Sequence, residues 1–96
     1  MEENQKTEDF YKRLREQLEG DTHWPSEYLY KFIIPASLEK LAEIEVIFDG
    51  LGANILTRDS TKGTYTSISI RVSMKTADAV IEKYLEVSKI EGVISL

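Results

Sequence analysis

Few side chains in this 96-residue chain are equipped for chemistry, and they are scattered. His23 is the only histidine, and it stands beside Trp24-Pro25 in the polar segment Asp21–Glu27. One imidazole in a linker assembles no Ser-His-Asp set. There is no cysteine, which excludes disulfides, thiolate nucleophiles, thiolate metal sites and iron–sulfur ligation. Glu39, Glu43, Glu45 and Asp49 fall along one predicted helix, where an acidic solvated face is a simpler reading than a metal site. No catalytic, cofactor-binding or metal-ligating residue is assigned, and the expectation is a chain that is not an enzyme and carries no cofactor.

Anion and nucleic-acid binding fare no better. Lys62-Gly63 reads as a hairpin turn in which glycine takes a positive φ. An RNA-recognition strand starting at that pair needs aromatic residues where Thr64, Thr66 and Ser69 stand, and those cannot stack bases. Ile34-Pro35-Ala36-Ser37 has no glycine to let backbone approach a phosphate. The net charge is −5, and its acidity is concentrated at the start. Residues 1–27 hold eight acidic and four basic side chains, a net of −4, leaving −1 for residues 28–96. No basic stripe of the kind that tracks phosphates is present. No apolar run approaches the ~18 residues of a membrane span, and no signal-peptide pattern opens the chain. The expectation is a cytoplasmic protein that engages neither nucleic acid nor membrane.

The elements are legible around one stretch. From Thr66 to Met74 the chain alternates: Thr66, Ile68, Ile70, Val72 and Met74 share one face, while Tyr65, Ser67, Ser69, Arg71 and Ser73 share the other. This is a half-buried strand with an apolar and a hydroxyl-rich face. Tyr28–Ile34 reads as a second strand, ended by Pro35. Ser37 is positioned to cap a helix over Leu38–Asp49, whose apolar face is Leu38, Leu41, Ala42, Ile44, Ile47 and Phe48, with Gly50 closing it. Ala53–Arg58 is a strand whose inward side the pattern leaves open. Thr76 caps a helix running to Val87, with Val80, Ile81, Tyr84 and Leu85 facing in, and Gly92 precedes a last strand, Val93–Leu96. Before all of these, residues 1–6 read as frayed, and Thr7 starts an amphipathic helix over 7–19 that Gly20 ends.

Two segments follow: an N-terminal amphipathic helix and linker, 1–27, and a domain over 28–96. Within the latter, strand-helix-strand-strand-helix-strand predicts an α+β, ferredoxin-like β-α-β-β-α-β sandwich, with the first and third strands central and both helices on one face. If Tyr30, Phe32 and Ile34 point to the helices, then Leu29, Lys31 and Ile33 join Tyr65, Ser67, Ser69 and Arg71 on the open face. That face, combining cations with apolar area, is the candidate interaction surface. It is either solvated with a few tolerated apolar groups or covered by a partner, an unidentified protein or a second copy of the chain. Phe10, Leu14 and Leu18 give the first helix a stripe that predicts its docking on Leu29, Ile33 and Tyr65, with its acidic side chains near Lys31 and Arg71. The reading that follows is a non-catalytic regulatory or protein-interaction module. The alternative is a sensor of amino acids or anionic metabolites, held by Ser37 at the helix start or by Lys31 and Arg71.

Trp24-Pro25, the run Tyr28–Ile33, the stretch Ser60–Ile70 and the ending Gly92–Leu96 resemble the YbeD-like family, small bacterial proteins of unknown function. The similarity covers residues 24–96, and Ser-x-Lys-Gly-x-Tyr-x-Ser is its most specific part. The resemblance implies a ferredoxin-like fold akin to the regulatory ACT domains and a regulatory or protein-binding role, with no catalytic residues. ACT domains usually bind amino acids near a glycine at the first strand–helix junction, where this chain has Pro35-Ala36.

Overall fold

The computed structural model describes the backbone of residues 2–96 and the side chains of residues 8–96. The elements follow in the order α1 (Glu2–Asp21), β1 (Ser26–Pro35), α2 (Leu38–Ile47), β2 (Asn54–Asp59), β3 (Tyr65–Met74), α3 (Ala77–Ser88) and β4 (Ile94–Ser95). The protein is α+β, with three helices and one antiparallel four-stranded sheet in the order β2-β3-β1-β4.

The long strands dominate. β1 and β3 pair over ten residues each, from Ser26 opposite Met74 to Pro35 opposite Tyr65. Alternation then sets both faces, because successive side chains of a strand point to opposite sides. Tyr30, Phe32 and Ile34 of β1 and Ile68, Ile70, Val72 and Met74 of β3 are buried under the helices. Ile44 of α2, Phe48 at its C-cap and Ala77, Val80, Ile81, Tyr84 and Val87 of α3 close the core from above. Burying a large apolar side chain stabilises by about 1.5–3 kcal/mol, so this layer dominates the folding free energy. Thr66 is the one buried polar side chain among those described, and its hydroxyl donates to Asp59 Oδ1 at 3.0 Å.

Helix starts and turns are set locally. The hydroxyl oxygens of Ser37 and Thr76 accept from Lys40 N and Ala79 N, each three residues on, as N-caps do. Two lysines tie the helices from their sides. Lys83 Nζ donates to the Ile47 carbonyl at the C-terminal end of α2, and Lys40 Nζ to the Glu91 carbonyl after α3. Gly63 adopts φ 71° in the β2–β3 turn, where Ser60 Oγ accepts from both Thr64 N and Tyr65 N.

Several expectations are corrected. The first helix does not lie on the open sheet face; it extends the helical layer beside α3. Tyr11, Leu14 and Leu18 pack against the core, the Tyr11 ring lies 6.5 Å from that of Tyr84, and Arg15 Nε approaches Asp78 Oδ1 at 3.2 Å. Trp24 Nε1 donates to the Leu18 carbonyl, fastening the linker to the helix end. The reason is apolar complementarity. The Tyr84 ring of α3, edge-on to Tyr28, offers an aromatic flank that Tyr11 extends, and Asp78 of the same helix adds a partner for Arg15. Phe10, assigned to the docking stripe, is 61% exposed. The helix backbone already runs from Glu2, through the stretch expected to fray, so Thr7 lies inside the helix, its side chain outside those described. Gly20 is helical too, and the end comes at Asp21. Leu38, Ala42 and Leu85, expected inward, are exposed, because the inward side of α2 runs through Leu41, Ile44 and Ile47 to its cap Phe48, and that of α3 through Ala77, Val80, Ile81, Tyr84 and Val87.

Candidate functional site

The open face of the sheet is built by the outward positions of all four strands. Register places Leu29 beside Arg71, Lys31 beside Ser69 and Ile33 beside Ser67 across β1 and β3. It also places Asn54 beside Arg71, Leu56 beside Ser69 and Arg58 beside Ser67 across β2 and β3. Ile94 of β4 stands opposite Ile33, and the Leu96 amide donates to the Lys31 carbonyl at 2.9 Å. Tyr65 sits at the turn end of β3, opposite Pro35. The seven residues expected to form this face, Leu29, Lys31, Ile33, Tyr65, Ser67, Ser69 and Arg71, therefore do share it. Ile33 and Ser69 are half-buried and the other five exposed.

The face is larger and differently charged than that set implies. Leu56, Arg58, Ile94 and Leu96 belong to it, and so does Glu27, which is inside β1 rather than in a linker. Glu27 Oε1 lies 3.6 Å from Arg71 Nε, with both side chains more than half exposed. A solvent-exposed pair of this kind contributes within about 1 kcal/mol, yet it sets the local balance: Arg71 has an acidic neighbour. Lys31 and Arg58 meet no carboxylate within ion-pair distance among the described residues. Among the described side chains that register places on this face, Lys31, Arg58 and Arg71 stand against Glu27, with Asp59 in the wall of the adjoining depression. The result is a small positive balance on a chain of net charge −5.

Apolar area is concentrated here as well. Leu29, Leu56, Tyr65, Ile94 and Leu96 are half of the ten large apolar side chains that the described surface exposes. At the turn end, Ile33, Tyr65, Arg58, Asp59 and Ser67, with the Ser60–Thr61 turn, line a depression of about 390 Å³. It is open to solvent and mixed in character, with both a guanidinium and a carboxylate among its lining residues.

Other places weighed for chemistry are occupied by structural duties. Ser37, a candidate ligand contact, already accepts the Lys40 amide, although a shallow groove of about 360 Å³ adjoins it with Leu41, Thr57 and Asp59. His23 is exposed in the segment between α1 and β1. Among the described residues, no three His, Cys, Asp or Glu side chains gather as a cation site would require, and Glu39, Glu43, Glu45 and Asp49 are exposed along and just beyond α2. A second open groove of about 650 Å³ lies on the helical side between α2 and the end of α3, with Ala42, Val46, Ile47 and Ile90 in its wall. No helix among the described residues is long and apolar enough to cross a membrane.

Among the described residues, Tyr30 and Tyr84 are the strongly perturbed titrating groups. Burial, first of all, holds the Tyr30 and Tyr84 phenols far above their ordinary range. For Tyr84 the hydrogen bond to Tyr28 adds to this, and for Tyr30 the neighbouring charges of Tyr28 and Glu86 do. Both phenols are neutral hydrogen-bonding groups between α3 and the sheet, and neither faces the open sheet surface. Comparison with protein-family models, with curated proteins and with solved structures finds no match to this chain.

Proposed function

We propose that the protein is a non-catalytic regulatory or protein-interaction module, with a ferredoxin-like, YbeD-type architecture, that docks a partner on the open face of its sheet in the cytoplasm. The observation that carries the proposal is the concentration there of Leu29, Leu56, Tyr65, Ile94 and Leu96. A sheet buries its apolar side by packing against another layer, and α1 leaves this side uncovered by joining the helices instead. The strand order, with β1 and β3 central, supports the ferredoxin-like reading. A sensor of small anions has less support: Ser37 serves as a helix cap and Arg71 has Glu27 beside it.

The test is site-specific photocrosslinking in cells, with a crosslinking phenylalanine analogue in place of Leu56 or Tyr65, and of Val46 as the helix-side control. The same protein is expected to be trapped from Leu56 and Tyr65 and not from Val46, and to be lost when Ile94→Asp is added. Crosslinking from Val46 alone, or from none of the positions, counts against the proposal.

A further inference from the structure

We infer that, granted the docking role proposed above, the partner of the open sheet face is an acidic amphipathic helix of a different protein. The argument starts from charge. Lys31 and Arg58 project from the face, and neither meets a carboxylate within ion-pair distance among the described residues. Glu27 is engaged with Arg71. Elsewhere among the described residues acidic side chains outnumber basic ones, so the face is a positive patch on a negative protein. Such a patch favours encounters with carboxylate-bearing surfaces and disfavours basic ones. A second copy meeting face to face about a two-fold axis would set the same positive patch against itself, so self-association by this surface is opposed.

Geometry selects the helix. Leu56 of β2 and the Leu96 end of the chain lie at opposite ends of one cross-strand row, through Ser69 and Lys31. Strands are spaced about 4.8 Å apart, so the row spans roughly 14 Å, the rise of about nine residues of α-helix. A helix laid along it reaches apolar side chains at both ends with residues of one face and crosses over Lys31, whose long side chain extends from beneath it to a flanking carboxylate, while another flanking carboxylate lies over Arg58. The depression lined by Ile33 and Tyr65, with Arg58 and Asp59 in its wall, receives one apolar anchor. A strand added at the sheet edge would be coplanar with the sheet and would leave this surface open, so it does not satisfy the same residues.

The experiment titrates the full-length protein with three synthetic amphipathic peptides of about 16 residues, long enough to be partly helical alone. They share one leucine stripe and carry Glu, Gln or Lys on its flanks, and amide chemical shifts are followed. The Glu peptide is expected to shift Leu29, Lys31, Leu56, Ser67 and Ile94 saturably and to bind about fivefold tighter than the Gln peptide at low salt. That advantage should shrink at high salt, and the Lys peptide should not bind. In the Lys31→Glu/Arg58→Glu variant, whose core resonances at Phe32 and Ile68 verify folding, the Lys peptide should become the preferred one. Should that variant not fold, Lys31→Gln/Arg58→Gln, expected to erase the difference between Glu and Gln peptides, replaces it. Equal binding of Glu and Gln peptides to the sheet face overturns the acidic partner and leaves the docking role standing. Preference for the Lys peptide by the wild-type protein overturns it too. Shifts confined to Ala42, Val46 and Ile90, or no shifts with any peptide, overturn both. Concentration-dependent shifts of the face in the protein alone identify a second copy as occupant and overturn the inference.

Discussion

Tyr28, Tyr30 and Tyr84 meet where β1 passes under α3. The Tyr28 and Tyr84 hydroxyls share a hydrogen bond at 2.8 Å, and Tyr30 donates to the Val80 carbonyl at 3.0 Å. Because burial raises the Tyr30 and Tyr84 phenols in the folded state, the unfolded chain loses those protons first as pH rises through about 10. Stability is therefore fully present below that pH and falls above it, by up to about 1.4 kcal/mol per pH unit for each of the two tyrosines. Thermal melts between pH 8 and 11 should show this decline, and Tyr84→Phe should roughly halve its slope; an unchanged slope would count against the assignment. Glycine positions give a second residue-scale test. Gly92 has φ 83°, and a Cβ there would lie 2.9 Å from Pro35 Cγ, so Gly92→Ala should cost about 2 kcal/mol or more from the left-handed backbone and the contact together. Gly20 is helical with open space around it, so Gly20→Ala should stabilise by about 0.5–1 kcal/mol. Denaturant titration of the two variants, moving in opposite directions, checks both.

At the scale of elements, α1 is held by its apolar stripe more than by charge. Leu14 is half-buried against the core, whereas Arg15 and Asp78 form an exposed pair. Leu14→Ala should cost about 1–2 kcal/mol and Arg15→Ala within about 0.5 kcal/mol; a larger loss for Arg15 in urea melts would reverse that ranking. What the sequence showed about these elements divides along a physical line. β3 was legible with both faces because its alternation is unbroken, and β1 followed because aromatic and β-branched residues mark it. The side on which α1 docks was not, since a stripe says that a helix buries one face and not against what. β2 hid its facing because Ile55 and Leu56 are adjacent apolar residues, and only pairing with β3 turns Ile55 inward and Leu56 outward. Arg58 and Leu56 were thereby missed from the candidate face. Glu27 was missed because a strand edge defined by apolar residues starts one or two positions late.

For the molecule as a whole, the two sides of the sheet differ in kind. One carries a continuous core beneath three helices, and the other carries exposed apolar residues set among cations and serines. Substitutions on the two sides should separate stability from association. Ile70→Ala, in the core, should cost about 2–5 kcal/mol, while Leu56→Asp should change stability by no more than about 0.5 kcal/mol and abolish docking. Calorimetry alongside the photocrosslinking assay reads both quantities, and loss of docking only in proportion to loss of stability would argue that the face has no role of its own.

The ten-residue ladder between β1 and β3 also has a kinetic meaning. It joins one half of the chain to the other, so the intervening helix and strand must be brought round before any of its hydrogen bonds form. Loop closure of this kind carries an entropic barrier that local helix formation does not. The rate-limiting step of folding is then expected to be the meeting of these two strands with α3, with α1, at the margin of the helical layer, adding itself afterwards. In stopped-flow measurements, Ile68→Val should slow refolding, whereas Leu14→Ala should leave refolding nearly unchanged and speed unfolding.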